Sequence, residues 1–195
     1  MKLYRIILVD DEEEVRKSII RKIKWEENGF LVAGDAENGE DALEKIELLE
    51  PDLILTDIRM PYMDGLTLAE RVRQKYPSMK IVIFSGYDDF EYAKQAIKLN
   101  VTEYILKPVN VEELTAILQK IKANLDQEIE QKRNVNLLRE NYIKSLPILR
   151  EQFLNELVNA PIAYETVQTR LKEYGISLSG AQKWVAAAVG IDRPE

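Results

Sequence analysis

The sequence predicts an α/β domain built on a doubly wound, five-stranded parallel sheet, with a long C-terminal helical extension and the start of a further domain. Three observations carry this reading. Short apolar, β-branched runs alternate with amphipathic helical patterns five times in about the first 110 residues. The runs are apolar at nearly every position rather than every second one, as expected of strands covered on both faces. Polar side chains gather where four of these runs end, the edge at which open parallel sheets bind ligands.

The first run, Tyr4-Arg5-Ile6-Ile7-Leu8-Val9, stops at Asp10. From Glu12 a helix sets Val15, Ile19, Ile20 and Ile23 on one face, and Phe30-Leu31-Val32-Ala33 reads as the second strand. Asn38 suits the N-cap of a helix carrying Ala42, Leu43 and Ile46, with Glu40 and Asp41 in the first turn where the helix dipole favours acids. Pro51 marks its end. Strands Leu53-Ile54-Leu55-Thr56 and Ile81-Val82-Ile83-Phe84 flank a helix from about Leu66 to Lys75. A helix from about Phe90 to Leu99 leads to the last short strand, Glu103-Tyr104-Ile105-Leu106.

Beyond Pro108 the alternation gives way to one long helical pattern. Apolar residues recur at Leu114, Leu118, Ile121, Leu125 and Ile129 and, after a polar interruption around Lys132, at Val135, Leu138, Tyr142 and Leu146. Spacings of three and four suit a coiled-coil or bundle seam, the alternative being a last domain helix followed by a solvated linker. Pro147 is expected to interrupt this helix. Leu149, Phe153, Leu154 and Leu157 then form a new amphipathic set ending near Pro161, and Thr166 to Tyr174 a further helix closed by Gly175. Trp184 to Gly190 resembles the first strand of another domain, which the sequence leaves incomplete. The expected division is residues 1–122 for the α/β domain, 123–146 for the linker helix, and 147–195 for a helical segment and the beginning of a middle domain.

Composition removes whole classes of chemistry. The 195 residues contain no Cys and no His, so disulfides, thiolate and imidazole metal sites, histidine bases and Ser-His-Asp triads are excluded. The formal charge is −7, and neither residues 1–110 (16 Lys+Arg against 22 Asp+Glu) nor 111–195 (11 against 12) form a basic nucleic-acid surface. No apolar run approaches the roughly 20 residues of a membrane span, and the N-terminus lacks the pattern of a signal peptide. A cytoplasmic protein without membrane association is the expectation.

Asp10 and Asp11 close the first strand and Asp57 the third, so three carboxylates converge if those strands are neighbours. Close carboxylates raise each other's pKa unless a cation is present, and an all-oxygen donor set suits Mg²⁺, or Mn²⁺. Asp57 would then be a nucleophile toward phosphorus, forming an acyl phosphate. Lys107 can pair with one phosphoryl oxygen and the Ser85 hydroxyl with another. Taken singly, each residue also fits a plain structural role: aspartates form turns and caps, Ser85 precedes Gly86, and Lys107 can be a solvated charge. Their joint placement at the ends of four of five strands favours the chemical reading.

Ile7-Leu8-Val9-Asp10-Asp11-Glu12, Asp57-Ile58-Arg59-Met60-Pro61-Tyr62-Met63-Asp64-Gly65, Phe84-Ser85-Gly86-Tyr87 and Tyr104-Ile105-Leu106-Lys107-Pro108 resemble, in order and spacing, the receiver domains of bacterial two-component response regulators. The resemblance covers residues 1 to about 122. It implies a flavodoxin-like sheet of strand order 2-1-3-4-5, with Asp57 as phosphoacceptor for a sensor histidine kinase. It further implies Mg²⁺ bound by Asp10, Asp11, Asp57 and the Arg59 carbonyl, Ser85 and Tyr104 as the switch pair, Lys107 as the conserved ammonium and Pro108 as a cis proline. Arg59 and Tyr87 occupy positions that bear on phosphoryl lifetime. Residues after the receiver look like the middle region of AraC-type, YesN-like transcriptional regulators, so DNA binding would belong to a C-terminal domain absent from these residues. Homodimerisation is expected through the linker helix or through the face of the fourth helix, fifth strand and fifth helix.

Two other classes compete. A haloacid-dehalogenase-type phosphatase also uses a strand-end aspartate nucleophile with Mg²⁺, but needs a second carboxylate two residues on, where this sequence has Arg59. The reading is therefore of a phosphoacceptor that catalyses its own phosphoryl transfer and not of a metabolic enzyme. The other alternative is a receiver serving as a protein-interaction switch without DNA-binding output.

Overall fold

A computed structural model describes residues 3–86 and 90–177, with the backbone alone at Phe90. Its elements run β1 (Tyr4–Val9), α1 (Glu13–Lys22), β2 (Phe30–Ala36), α2 (Gly39–Leu49), β3 (Leu53–Asp57), α3 (Gly65–Lys75), β4 (Lys80–Ser85), α4 (Phe90–Lys98), β5 (Glu103–Leu106), α5 (Val111–Asn159) and α6 (Tyr164–Glu173). The five strands form one parallel sheet in the order β2-β1-β3-β4-β5. This is the doubly wound order predicted, with the long helix following the domain.

Side-chain alternation explains why both faces are covered. Ile7 and Val9 of β1, Ile54 of β3, and Ile81 and Ile83 of β4 point into a core shared with Ala42, Ile46, Leu68, Ala69, Val72 and Ala96 of α2, α3 and α4. Their neighbours Tyr4, Ile6, Leu8, Leu53, Leu55, Val82 and Phe84 point the other way, against Leu114, Leu118, Ile121 and Leu125 of α5. A strand buried on both sides must be apolar throughout. Asn38 caps α2 as expected, its Oδ1 accepting from the amides of Glu40 and Asp41 at 2.9 and 3.0 Å. At the other end of that helix Glu50 takes a left-handed φ of 44°, which turns the chain into Pro51.

Chain contacts divide into two compact units that meet between Glu128 and Ile129. The first holds the sheet and its helices. In the second, Phe153 and Leu171 are buried, and the Phe153 ring lies edge-on to Tyr174 with centroids 5.6 Å apart. Tyr142 and Arg150 of α5 donate to the carbonyls of Glu173 and Tyr174 at 3.0 and 2.7 Å.

Pro147 does not interrupt the helix, contrary to the sequence expectation: α5 continues from Val111 through it to Asn159, and the polar stretch around Lys132 stays helical too. A proline in a helix interior removes one hydrogen bond and crowds the preceding turn, at a cost of about 3 kcal/mol. Burial of Phe153 and partial burial of Leu149 and Leu157 on the far side of Pro147 favour continuation. The α6 helix begins two residues earlier than expected. The strand expected from Trp184 lies outside the described residues, as does Tyr87.

Leu118 is fully buried where α5 crosses the sheet. Leu118→Ala should therefore destabilise the receiver by about 2–5 kcal/mol, read as a lowered midpoint in urea denaturation followed by circular dichroism.

Candidate functional site

The parallel register brings four strand ends to one edge of the sheet. Asp57 pairs with Phe84 across β3 and β4, and Ser85 with Leu106 across β4 and β5, while Asp10 follows the last residue of β1. Asp10 and Asp57 are 3% and 8% exposed, and Ser85 is buried beside them. The Lys107 ammonium bridges both acids, 2.7 Å from Asp10 Oδ2 and 3.0 Å from Asp57 Oδ1. Its own amide donates to the Ser85 carbonyl at 2.7 Å, and the Lys107-Pro108 peptide is cis, as expected.

Electrostatics binds these groups into a set. Burial pushes the Asp57 carboxyl above its ordinary range, and the neighbouring Asp10 adds to this, while the hydrogen bond and charge of Lys107 pull it back. For Lys107, burial alone would favour loss of the proton. Hydrogen bonds to Asp10 and Asp57 outweigh it, so its pKa is raised and the ammonium is held. Asp10 Oδ1 also accepts from the Glu12 amide at 3.0 Å, fixing the turn out of β1.

Two further residues shape the site and escaped the sequence reading. Arg16 of α1 donates to the Asp10 carbonyl at 2.6 Å and through Nε to Asp35 at 2.7 Å, clamping the β1 end from behind. Gly65 opens α3 directly against the acceptor strand: its amide donates to the Ile58 carbonyl at 2.8 Å, and a Cβ there would stand 1.9 Å from the Asp57 carbonyl oxygen. An Asp-Gly pair is a visible turn signal, but nothing local says which strand the glycine touches.

The other predicted residues lie around this centre. Asp11 and Arg59 are exposed and line an open groove of about 770 Å³ between α3 and α4, with Met60, Asp64, Glu70 and Lys98 among its walls. The Arg59 guanidinium lies 5.7 Å from the centroid of the Tyr92 ring of α4. Tyr104 is half-buried on β5, opposite Ile83 and packed on the core shared with α4. Among the described residues no three acidic side chains are gathered into a ready-made metal cage. The donor set, Asp10, Asp11, Asp57 and the Arg59 carbonyl near the ends of β1 and β3, nonetheless consists only of hard oxygens, which fits a Mg²⁺-type ion and not a softer metal.

Residues 6–119 match the model of the response regulator receiver domain. The chain belongs to the response regulator receiver family. Its receiver fold is shared by the receiver domain of AraT, a response regulator from Geobacillus stearothermophilus, at 39% identity and a TM-score of 0.62 over 65% of this chain and 98% of that one. YesN of Bacillus subtilis, an uncharacterized transcriptional regulatory protein, is 37% identical over 80% of this chain and 42% of its own length. HptR of Staphylococcus aureus, a transcriptional regulatory protein, is 29% identical over 97% of this chain and 77% of its own. The chain thus spans less than half the length of YesN.

Gly65→Ala offers a direct check on the receiver geometry. Alanine favours a helix by up to about 1 kcal/mol, but the clash with the Asp57 carbonyl should cost about 1–3 kcal/mol, so the expected net change is destabilising. Thermal denaturation reads the sign, and amide NMR shifts should concentrate at residues 56–58.

Proposed function

We propose that this chain is the phosphorylation-controlled part of a two-component regulator, in which Asp57 accepts a phosphoryl group from a sensor histidine kinase. The observation that carries this reading is the Lys107 ammonium held between two buried carboxylates at 2.7 and 3.0 Å. That arrangement puts a cation beside a carboxylate oxygen of Asp57, at the end of β3.

In the proposed reaction an Asp57 carboxylate oxygen attacks phosphorus, the bond from phosphorus to the donor's imidazole nitrogen breaks, and its electron pair leaves with that nitrogen. Lys107 moves its hydrogen bond from Asp57 to a phosphoryl oxygen, and the Ser85 hydroxyl donates to another. Asp10, Asp11, Asp57 and the Arg59 carbonyl would hold Mg²⁺, which supplies positive charge to offset that gathering on the phosphoryl oxygens. Once Ser85 has turned inward, Tyr104 fills the space it leaves, and the surface of α4, β5 and α5 changes its contacts. Output would pass through a homodimer, formed through α5 or that surface, to a DNA-binding domain lying beyond these residues, in the cytoplasm. The names of YesN and HptR as transcriptional regulatory proteins support that output.

Incubation with radiolabelled acetyl phosphate and Mg²⁺ tests the chemistry. Asp57→Asn should abolish labelling, as should EDTA with the unaltered chain; label retained by Asp57→Asn at full stoichiometry would sink the assignment. Lys107→Ala removes charge-assisted hydrogen bonds of about 1.5–3 kcal/mol, so labelling should slow roughly 10- to 100-fold. It should also raise the Asp57 carboxyl further, because the opposing hydrogen bond and charge are gone; carboxyl ¹³C shifts against pH measure this.

A further inference from the structure

Between Leu137 and Val158 one row of α5 has residues spaced alternately by four and three: Leu137, Asn141, Lys144, Ile148, Glu151, Asn155 and Val158. Such spacing keeps a row on one stripe of a helix, as in a coiled-coil seam. All seven side chains are exposed, and the three aliphatic ones, Leu137, Ile148 and Val158, are 55%, 60% and 62% exposed. The stripe lies away from α6, which is met by the opposite face of α5 through Tyr142, Arg150, Phe153 and Glu156.

Read from either end, the row runs aliphatic, amide, charge, aliphatic, charge, amide, aliphatic, and its two charges are opposite. We propose that this stripe is an interface with a second copy of the chain, packed antiparallel about a two-fold axis beside Ile148. Around that axis Leu137 faces Val158, Asn141 faces Asn155, Lys144 faces Glu151 and Ile148 faces its own copy. Each pair is equidistant from Ile148 to within one residue.

Charge decides the direction. Lys144 and Glu151 are about 10 Å apart along their own helix at 1.5 Å per residue, too far to pair with each other. The antiparallel arrangement pairs Lys144 of each copy with Glu151 of the other, giving two ion pairs. A parallel arrangement of the same stripe would set Lys144 against Lys144 and Glu151 against Glu151, which is repulsive. Asparagine facing asparagine within a seam fixes register and orientation at some cost in stability. Only three of the seven layers are apolar, so the association depends on concentration.

This inference deepens the homodimer reading given above and rests on it. Because the chain contains no Cys, single cysteines report contacts unambiguously. Under mild oxidation Ile148→Cys should cross-link to itself, and Leu137→Cys should cross-link to Val158→Cys when the two chains are mixed but not to itself. In sedimentation the unaltered chain should dimerise, Lys144→Glu should raise the dissociation constant at least about tenfold, and adding Glu151→Lys should restore it. Self-cross-linking of Leu137→Cys as efficient as that of Ile148→Cys overturns the antiparallel arrangement while leaving the homodimer. A dimer indifferent to Lys144→Glu overturns the stripe as its interface. A chain that stays monomeric up to about 100 µM overturns both.

Discussion

Lys107 holds two buried carboxylates that would otherwise repel each other, and most of the receiver is arranged to keep it there. Neither Asp10 nor Asp57 is far from burial, and burial by itself pushes the Asp57 carboxyl toward its neutral form. One ammonium within hydrogen-bond reach of both opposes that pressure and is itself kept charged by them. The three groups are therefore mutually dependent. Removing one partner from a buried charge set leaves an uncompensated charge, typically costing on the order of 3–5 kcal/mol. The Lys107 hydrogen bond and charge thus oppose the rise that burial causes at the Asp57 carboxyl.

Strand register and two backbone clamps give that bridge its geometry. Pairing of Thr56 with Ile83 and of Ile83 with Tyr104 brings the ends of β3, β4 and β5 level. The Ser85 carbonyl then receives the Lys107 amide, so the lysine's backbone is set by β4 and its ammonium by β1 and β3. Behind this, Arg16 fixes the carbonyl of Asp10, and the missing Cβ of Gly65 lets α3 start in contact with the Asp57 backbone. Neither clamp touches the pocket's open side. Both limit how far the two carboxylates can separate.

How much of this is legible in the sequence follows from the range of each interaction. The sheet is legible because strands covered on both faces must be apolar at successive positions, and the pocket because its residues sit at the ends of such runs. Arg16 is not, since its partner Asp35 lies on β2 and comes within reach only because β1 and β2 pair. Gly65 likewise meets Asp57 only after the loop between β3 and α3 has closed. Pro147 misleads in the other direction: a local rule predicts a break, while the burial of Phe153 beyond it comes from packing that the rule does not include.

The same helix that completes one core also leaves it, and this constrains how a change at the pocket could travel. Leu114, Leu118, Ile121 and Leu125 of α5 are buried on the sheet, whereas residues 129–144 are exposed. At the changeover Asp126 accepts from the Tyr4 hydroxyl at 2.6 Å, and Glu128 pairs with Lys80. Tyr4 and Lys80 begin β1 and β4, the strands whose other ends carry Asp10 and Ser85. The last turn of the receiver is thus fastened to the edge of the sheet remote from the pocket. Coupling between distant sites requires an element that both can bias. A displacement of β5, whose Ile105 shares a core with Leu114 and Leu118, would act on α5 along its buried face, against the two polar contacts at its exit. Sliding of α5 along the sheet would break both of these polar contacts at once.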